Sequence, residues 1–303
     1  MDVLITGGTG LIGRALIPHL IVRGDMVTVV TRDAARAAEV LPDMVTLVEA
    51  DPAVEGDWLD LVRTSDIIVN LVGESVAAGL WTRGKKRKLR RSRLRPINHL
   101  ADVLRDCERP GLLLSASATG YYGDGGAQAL AESAEPGHDY LAILCYEWER
   151  NALRAERDHR RVVLLRFGLV LSSEGGALPA MLPAFRRGFG GPMGGGRQYW
   201  PWIHVRDAVR AILFAIEHED VTGPVNITTP NPLQQREFAR LLGDALGKSS
   251  GLPAPAWAIQ MILGEKARLV LQSQRAVPNR LKALGFRWEY LELERALEDL
   301  ISG

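Results

Sequence analysis

The chain has 303 residues, of which 47% are apolar and 24% are charged, and 37 Lys and Arg against 36 Asp and Glu give a formal net charge of +1. This composition indicates a soluble globular protein long enough for two domains, and it excludes disordered, collagen-like and coiled-coil classes. The near-zero charge argues against a dedicated nucleic-acid-binding protein.

Cysteine usage and hydropathy indicate a cytoplasmic protein. Cys107 and Cys145 stand far apart, with no CxxC pair and no histidine cluster nearby. The sequence therefore predicts neither a disulfide framework nor a metal site, which suits a reducing compartment. No apolar run approaches the roughly 18 residues that a membrane span needs, and the N-terminus enters a strand pattern instead of a leader. We therefore expect no membrane contact.

Strand and helix patterns alternate along the first half of the chain. An apolar run at residues 3–6 ends at Gly7, and helical spacing follows over residues 11–22. Further apolar and β-branched runs predict strands at residues 26–31, 45–48, 67–72, 112–114, 162–167 and 225–228. Helical spacing predicts helices at residues 34–41, 58–62, 85–107, 140–156, 204–216, 236–246, 257–270 and 291–301. Near-continuously apolar strands alternating with helices predict an α/β fold, a doubly wound parallel sheet of the Rossmann type.

A change of composition after Phe167 predicts a second, smaller domain. Residues 188–196 contain six glycines in nine positions, a flexible loop of the kind found beside binding sites. We predict a dinucleotide-binding domain over residues 1–167, to which residues 203–229 return. Residues 168–202 and 230–303 would form a C-terminal substrate-binding domain.

A glycine-rich turn lies directly between the first strand and the first helix. It consists of Thr6, Gly7, Gly8, Thr9, Gly10, Leu11, Ile12 and Gly13. Glycines at these spacings permit a tight turn and a close approach of the backbone to a pyrophosphate, which the amides and dipole of the helix N-terminus then hold. The turn therefore predicts a dinucleotide site, and an ordinary strand-to-helix turn is the alternative.

The end of the second strand distinguishes NADP from NAD. A carboxylate there binds the ribose 2′-hydroxyl of NAD, whereas a cation binds the 2′-phosphate of NADP. Arg32 offers a planar guanidinium suited to phosphate, so the sequence favours NADP(H). Asp33 is the competing candidate, since a shift of one residue would place a carboxylate at this point. A solvated loop residue is the other interpretation of Arg32.

The sequence resembles the extended short-chain dehydrogenases/reductases, and among them an atypical epimerase-family branch of YfcH-like proteins. Besides the glycine turn, the resemblance rests on residues 70–74 (NLVGE), 81–82 (WT), 92–93 (SR), 115–123 (SASATGYYG) and 202–207 (WIHVRD). Residues 252–255 (LPAP), 264–265 (GE) and 285–286 (GF) resemble the small C-terminal domain of this branch. The resemblance covers essentially the whole chain and implies a Rossmann fold, NADP(H) binding and a small-molecule substrate in a cleft between two domains. It leaves the substrate and a homodimer open.

The resemblance also implies catalytic residues, one of which is missing. Enzymes of the wider superfamily use a Tyr as acid or base, a Ser or Thr on the substrate oxygen, and a Lys four residues after the Tyr. Ser117 and Tyr140 fall at the Ser and Tyr positions, but the residue four beyond is Leu144. A phenol has a pKa near 10, and a nearby cation is what lowers it. Two interpretations stay open: an oxidoreductase or epimerase in which Tyr140, or another phenol such as Tyr121 or Tyr122, donates the proton, or an NADP(H)-binding sensor without turnover.

Further candidates follow from the same resemblance. For the cofactor they are Asp51, Leu71, Val72, Gly73, Arg93 and Arg166, and for the substrate Tyr121, Tyr122, Arg197, Gln198 and Trp202. Several have plain alternatives: Asp51 precedes a proline as turn residues do, and Arg166 suits a buried ion pair. Gln198 and Trp202 also suit a loop with one packing tryptophan, and His204 is expected to satisfy a backbone group.

Residues 83–95 carry nine Lys or Arg among 13 positions, which raises the possibility of nucleic-acid binding. However, apolar residues recur at helical spacing through and beyond this stretch, and no aromatic residue stands inside it to stack on bases. We therefore predict the solvated face of an amphipathic helix and no nucleic-acid partner. The apolar positions are Leu89, Ile97, Leu100, Ala101 and Leu104.

Overall fold

A central sheet of seven parallel strands organises the protein, whose computed structural model describes residues 1–251 and 253–302. Leu252, the first residue of the C-terminal LPAP motif, and Gly303 lie outside the described residues. The strands are β1 (Asp2–Thr6), β2 (Met26–Thr31), β3 (Thr46–Glu49), β4 (Ile67–Asn70), β5 (Leu112–Ala118), β6 (Ala129–Leu130), β7 (Arg161–Phe167), β8 (Leu169–Leu171), β9 (Tyr199–Trp200), β10 (Trp202–His204), β11 (Gly223–Ile227), β12 (Leu233–Gln234) and β13 (Arg275–Ala276). The helices are α1 (Leu11–Val22), α2 (Ala34–Ala38), α3 (Asp60–Thr64), α4 (Arg83–Arg105), α5 (Tyr140–Leu153), α6 (Ala177–Arg186), α7 (Val205–Glu217), α8 (Gln235–Ala245), α9 (Ala256–Leu263), α10 (Arg268–Leu271), α11 (Asn279–Ala283) and α12 (Leu293–Ser302).

The strand order confirms the predicted Rossmann-type fold. In the central sheet it is β11-β7-β5-β4-β1-β2-β3. Adjacent strands β1 and β4 are separated in the chain by β2 and β3, so the direction of winding reverses between them. A crevice opens outside the carboxyl ends of the strands at such a reversal, and ligands of open α/β sheets bind there. The residues that follow β1, β2, β4 and β5 are therefore candidates for a ligand site.

The strands of the sheet are those the apolar runs predict, with different bounds. Strand β5 continues to Ala118, four residues beyond the predicted end, because Ser115 and Ser117 interrupt the apolar run without interrupting the ladder to β7. The predicted helix at residues 257–270 is wrong as a single element, since the chain turns at Gly264, where φ is +55°. Helix α6 has no counterpart among the predicted elements.

A second apolar core lies apart from the sheet core. Leu178 of α6, Trp202 of β10, Phe238 of α8 and Leu297 of α12 are among its buried members. Leu281 and Phe286 belong instead to the core of the large sheet. The C-terminal region therefore has a core of its own and is also packed against the Rossmann sheet.

Over the described part of the chain, no helix combines the length and the apolar character that crossing a bilayer requires.

Candidate functional site

Three polar side chains link the strand ends at the crevice. The Thr6 hydroxyl donates to Asn70 Oδ1 at 2.8 Å, and Asn70 Nδ2 donates to Ser115 Oγ at 3.3 Å. All three residues are buried: Thr6 and Asn70 end β1 and β4, and Ser115 lies within β5 beside Asn70. Hydrogen bonds between buried groups are strong and directional. This series of hydrogen bonds therefore fixes the relative position of the loops that follow β1 and β4.

The glycine turn is a place where side chains do not fit. Gly7 has φ +78°, and a Cβ there would lie 2.7 Å from the backbone carbon of Leu71. A Cβ on Gly13 would lie 2.5 Å from the carbonyl oxygen of Gly8. Because the obstructing atoms are backbone, neither position accepts a side chain without moving the main chain. The turn is therefore pressed both against the chain that follows β4 and against its own helix.

The N-terminus of α1 is open to an anion. Its cap is Gly10, which offers no side-chain acceptor, and the first turn carries no acidic residue. The first amides of a helix have no intrahelical acceptor, and the helix dipole adds positive potential at this end. The glycine turn therefore presents main-chain N–H groups of the kind that hold a pyrophosphate.

A cleft of about 730 Å³ adjoins the glycine turn. It is lined by Gly7, Thr9, Arg14, Val30, Thr31, Arg32, Asp33, Arg36, Ala37, Val40, Pro52 and Val72. Four of the predicted cofactor residues, Gly7, Thr9, Arg32 and Val72, thus meet in one place. The sequence analysis missed Arg14 and Arg36, which bring the number of guanidinium groups at the cleft to three.

The two candidates at the end of β2 have different roles. Asp33 caps α2, since its Oδ1 accepts from the backbone N of Arg36 at 2.9 Å. Arg32 is exposed, as is Arg36 one helical turn away. Asp33 is a favoured cap residue directly after a strand, and this signal places the residue three positions later on the first turn of the helix. That reasoning would have found Arg36 from the sequence.

Gly73 makes room for Arg93. A Cβ on Gly73 would lie 3.2 Å from the guanidinium carbon of Arg93. Arg93 donates to the carbonyl oxygens of Glu74 at 3.0 Å and of Leu89 at 3.2 Å, and its guanidinium lies 5.3 Å from the ring of Trp148. The close approach at Gly73 is thus to an arginine of α4, which the sequence analysis had not associated with it.

Asp51 and Leu71 make backbone contacts that shape the same edge. Asp51 Oδ1 accepts from the backbone N of Ala53 at 3.0 Å, which is the turn arrangement given above as its alternative. The backbone N of Leu71 donates to the Thr6 carbonyl at 2.9 Å and continues the β1–β4 ladder by one residue. Cofactor contacts by these two residues stay predictions.

Tyr140 begins α5 and lies against α4. Its hydroxyl donates to the Lys86 carbonyl at 2.8 Å, and its ring meets Trp81 edge-on at 5.8 Å between centroids. Burial raises the pKa of Tyr140, while the cations of Arg93 and Arg90 act in the opposite direction. The phenol is therefore held protonated, the state that a proton donor requires.

Ser117 and Arg166 belong to a buried ion network. The Ser117 hydroxyl donates to Glu149 Oε1 at 2.6 Å, and Arg166 binds both carboxylate oxygens of Glu149, at 2.8 and 2.7 Å. A cofactor contact by Arg166 stays a prediction, and its charge is matched by Glu149 inside the protein. Ser117 is 3% exposed, so contact with a substrate would require exchange of its hydrogen bond to Glu149.

The two neighbouring tyrosines extend this network. The Tyr122 hydroxyl donates to Asn226 Oδ1 at 2.7 Å and accepts from Arg166 at 2.9 Å, and burial raises the pKa of Tyr122 to about 12. The guanidinium of Arg166 stacks 3.6 Å from the ring centroid of Tyr121. Substrate contacts by Tyr121 and Tyr122 stay predictions: the Tyr122 hydroxyl is bonded in the interior, and the Tyr121 ring covers the ion pair.

Of the three residues predicted to hold the substrate after the glycine loop, two are interior. Gln198 donates to the carbonyls of Met193 and Val270, both at 2.9 Å, and Trp202 is fully buried in the second core. Substrate contact by these two residues stays a prediction, and both side chains are engaged within the fold. Arg197 is exposed, and its role stays a prediction.

His204 satisfies a backbone group, as predicted. Its Nδ1 accepts from the backbone N of Arg206 at 3.1 Å and caps α7. Its Nε2 lies 3.2 Å from Asp299, and burial lowers the pKa of His204. The ring is therefore a structural cap rather than a base.

The basic stretch forms α4, and its apolar positions confirm the predicted amphipathic helix. Leu89, Ile97, Leu100, Ala101 and Leu104 are all buried. Three of the cations form ion pairs: Lys85 with Glu74, Lys86 with Glu265 and Arg90 with Glu147. The partner of Lys86 comes from the C-terminal region, where Lys266 also donates to the Ala77 carbonyl at 2.9 Å.

Two family profiles cover most of the chain. The NAD dependent epimerase/dehydratase family matches residues 3–228, and a domain of unknown function, DUF1731, matches residues 254–300. The chain is 38% identical over 306 residues to the Arabidopsis thaliana epimerase family protein SDR39U1 homolog, chloroplastic. The aligned region covers 99% of this chain and 87% of that protein.

Solved structures show the same architecture. The human epimerase family protein SDR39U1 (isoform2), crystallised with NADPH, is 31% identical with a TM-score of 0.88 and full coverage of both chains. A nucleoside-diphosphate sugar epimerase from Corynebacterium glutamicum is 29% identical with a TM-score of 0.79, over 99% of this chain and 58% of that one. Both similarities include the C-terminal region as well as the sheet.

Proposed function

Because the chain belongs to the NAD dependent epimerase/dehydratase family, with the C-terminal domain of its epimerase-family relatives, we propose that it binds NADP(H) at the glycine turn and acts on a small carbonyl or carbinol substrate. The human relative crystallised with NADPH supports the cofactor. The Corynebacterium relative, a nucleoside-diphosphate sugar epimerase, supports a sugar nucleotide as the substrate class to test first.

The residues at the crevice fit the cofactor. The first amides of α1 would hold the pyrophosphate, since Gly10 leaves them without a side-chain acceptor. The close packing at Gly7 and Gly13 leaves this surface bare of side chains. When bound, the nicotinamide supplies or accepts a hydride. The remaining work, which is binding, orientation and proton transfer, belongs to residues of this chain.

One observation carries the choice of NADP(H) over NAD(H). Arg32 and Arg36 line the cleft beside the end of β2, while the carboxylate of Asp33 is bonded to the backbone of α2. Two guanidinium groups form a charge-assisted site for a phosphate, whereas Asp33, the neighbouring carboxylate, is committed through Oδ1 to the cap of α2. At an effective dielectric near 20, opposite charges about 4 Å apart interact by roughly 4 kcal/mol before desolvation.

Tyr140 is the proton donor of this proposal. Burial raises the pKa of Tyr140, so the phenol is neutral at physiological pH, and donation to a substrate would exchange its hydrogen bond to the Lys86 carbonyl. Reduction of a carbonyl requires a neutral phenol, whereas oxidation of an alcohol requires a phenolate. The site therefore favours reduction.

Calorimetric titration with NADPH and NADH tests the cofactor assignment. We expect NADPH to bind at least tenfold more tightly than NADH, and the double variant R32A/R36A to remove that preference while leaving NADH affinity unchanged. The matched control is R95A, an exposed arginine of α4 on the solvent side. Equal affinities for the two cofactors, or equal losses for both in R32A/R36A, would contradict the assignment.

A second candidate function, an NADP(H)-binding sensor without turnover, is favoured by two observations. Leu144 occupies the position of the usual Lys and is buried, and the Ser117 hydroxyl is bonded to Glu149. A panel of carbonyl compounds and sugar nucleotides separates the two candidates. Consumption of NADPH by the protein but not by Y140F supports the enzyme. Tight binding of NADPH with no consumption across the panel supports the sensor.

A further inference from the structure

The one basic residue of α5 is Arg150, in its last turn and ten positions after Tyr140. The position one turn after Tyr140 belongs to Leu144, which is 2% exposed and packs in the core of the sheet. A lysine at this point would need to enter an apolar environment, which is unfavourable for a charge. The cations that act on the Tyr140 phenol, Arg93 and Arg90, come from α4 instead.

Helix α4 packs against the face of α5 that carries Tyr140 and Trp148. The Tyr140 hydroxyl binds the Lys86 carbonyl, and two turns further on the guanidinium of Arg93 lies over Trp148. Positions seven and eight apart return to the same side of a helix. Arg93 and Tyr140 therefore lie on one helix–helix seam, with Leu144 between the two contacts.

Arg93 carries a charge that no carboxylate of the described residues neutralises. Its two hydrogen bonds go to main-chain carbonyls, and the carboxylate of Glu74 is bonded to Lys85 instead. An arginine has five N–H donors, so three remain. The side chain is only half-buried and lies against Gly73, in the loop that follows β4 at the crevice. A half-buried cation with spare donors is suited to act on a neighbouring group.

We propose that Arg93 replaces the missing lysine as the cation that acts on Tyr140. The inference rests on the proposed function, since it assigns a partner to the proposed proton donor. Arg93 is a positioning residue: it stabilises the phenolate left after proton donation. In the superfamily pattern the cation stands on the helix of the Tyr, which here is α5. In this protein the cation would come from α4, and Gly73 leaves space for the Arg93 side chain.

The charges around Tyr140 determine the sign of the test. Arg93 and Arg90 of α4 lower its pKa, and Glu265 of the C-terminal region and Glu147 of α5 raise it, on top of the larger effect of burial. Lys86 lies 4.7 Å from the ring centroid, but its ammonium is paired with Glu265. Removal of the Arg93 charge therefore raises the pKa of Tyr140 further.

Ultraviolet titration of the phenol tests the proposal without a substrate. The absorbance change of each protein is compared with that of the same protein carrying Y140F, which isolates Tyr140 from the other five tyrosines. We expect R93M and R93Q to raise the midpoint by up to about one pH unit, and R93K to restore it, because loss of a nearby positive charge disfavours the phenolate. R91M, an exposed position of α4, is the matched control and leaves the midpoint in place.

Two results would overturn the proposal: an unchanged midpoint in both R93M and R93Q, or the same shift in R93K as in R93M. R93Q keeps donors for the two carbonyls, so it reports on charge even where R93M unfolds. NADPH titration of the unmodified protein keeps the two inferences separate. NADPH binding by the unmodified protein without a phenol shift in the Arg93 variants would reject the role of Arg93 alone, whereas a phenol shift in the variants with no NADPH binding by the unmodified protein would reject the proposed function alone.

Discussion

The two sides of the crevice are built in different ways. On the side of β1 and β2, close backbone packing at Gly7 and Gly13 and exposed arginines at the rim form an open cleft. On the side of β5 and β7, side chains form a buried network in which Glu149 binds Ser117 and Arg166. On the first side, glycines without side chains shape the surface. On the second side, contacts between polar side chains do so. Substitutions on the two sides should therefore fail differently.

The largest effect is expected on the buried side. R166M leaves the Glu149 carboxylate buried without its cation, and the loss of one partner of a buried pair costs about 3–5 kcal/mol. Denaturant unfolding measures this loss. The double variant E149M/R166M should recover most of it, because it removes the unpaired charge. A loss in R166M below about 1 kcal/mol would show that the network is not a stabilising unit.

A smaller effect is expected on the open side. A methyl group on Gly13 would lie 2.5 Å from the Gly8 carbonyl, so G13A should cost about 1–3 kcal/mol of unfolding free energy and abolish NADPH binding. The control is G84A, in the first turn of α4, where a Cβ meets nothing closer than 3.8 Å. We expect G84A to be neutral or to stabilise by up to about 1 kcal/mol. Equal effects of the two substitutions would mean that the packing of the turn is not specific.

Protonation adds a test of the second core. Burial lowers the pKa of His204 below its ordinary value of 6.5, so the unfolded chain takes up a proton that the folded chain refuses. The contribution of the neutral ring is present above pH 6.5 and is lost as the pH falls towards the lowered pKa, with a slope of at most about 1.4 kcal/mol per pH unit. Unfolding measured between pH 7.5 and pH 5 in roughly half-unit steps checks this. H204N keeps a side-chain acceptor for the α7 cap, so its profile should be flatter, and parallel profiles would contradict the assignment.

The smallest effect concerns the carboxylate at the rim. D33N keeps an acceptor for the α2 cap and removes a negative charge beside Arg32 and Arg36. We expect unchanged stability, within about 0.5 kcal/mol, and NADPH affinity raised by a few fold. Calorimetry in low salt measures the change. A lower NADPH affinity in D33N would indicate that Asp33 binds the cofactor itself.

The open side is also the side that could be predicted from sequence. The strand runs, the glycine turn and Arg32 are local features, because spacing along the chain determines the backbone path and the side-chain position. The partners of Ser117 and Arg166 could not be predicted in this way. Glu149 lies 32 residues from Ser117, and periodicity indicates which faces are buried but not which polar groups meet there. Arg93 illustrates the same limit, because Gly73 and Arg93 are brought together by the packing of α4.

The ion pair between Lys86 and Glu265, together with the bond from Lys266 to the Ala77 carbonyl, has a consequence for dissection of the chain. These contacts brace the beginning of α4, whose Lys86 carbonyl holds the Tyr140 hydroxyl. A truncated protein that stops before residue 254 would lose this brace as well as part of the second core. Removal of the C-terminal domain would thus loosen the anchorage of an aromatic side chain more than a hundred positions earlier in the chain.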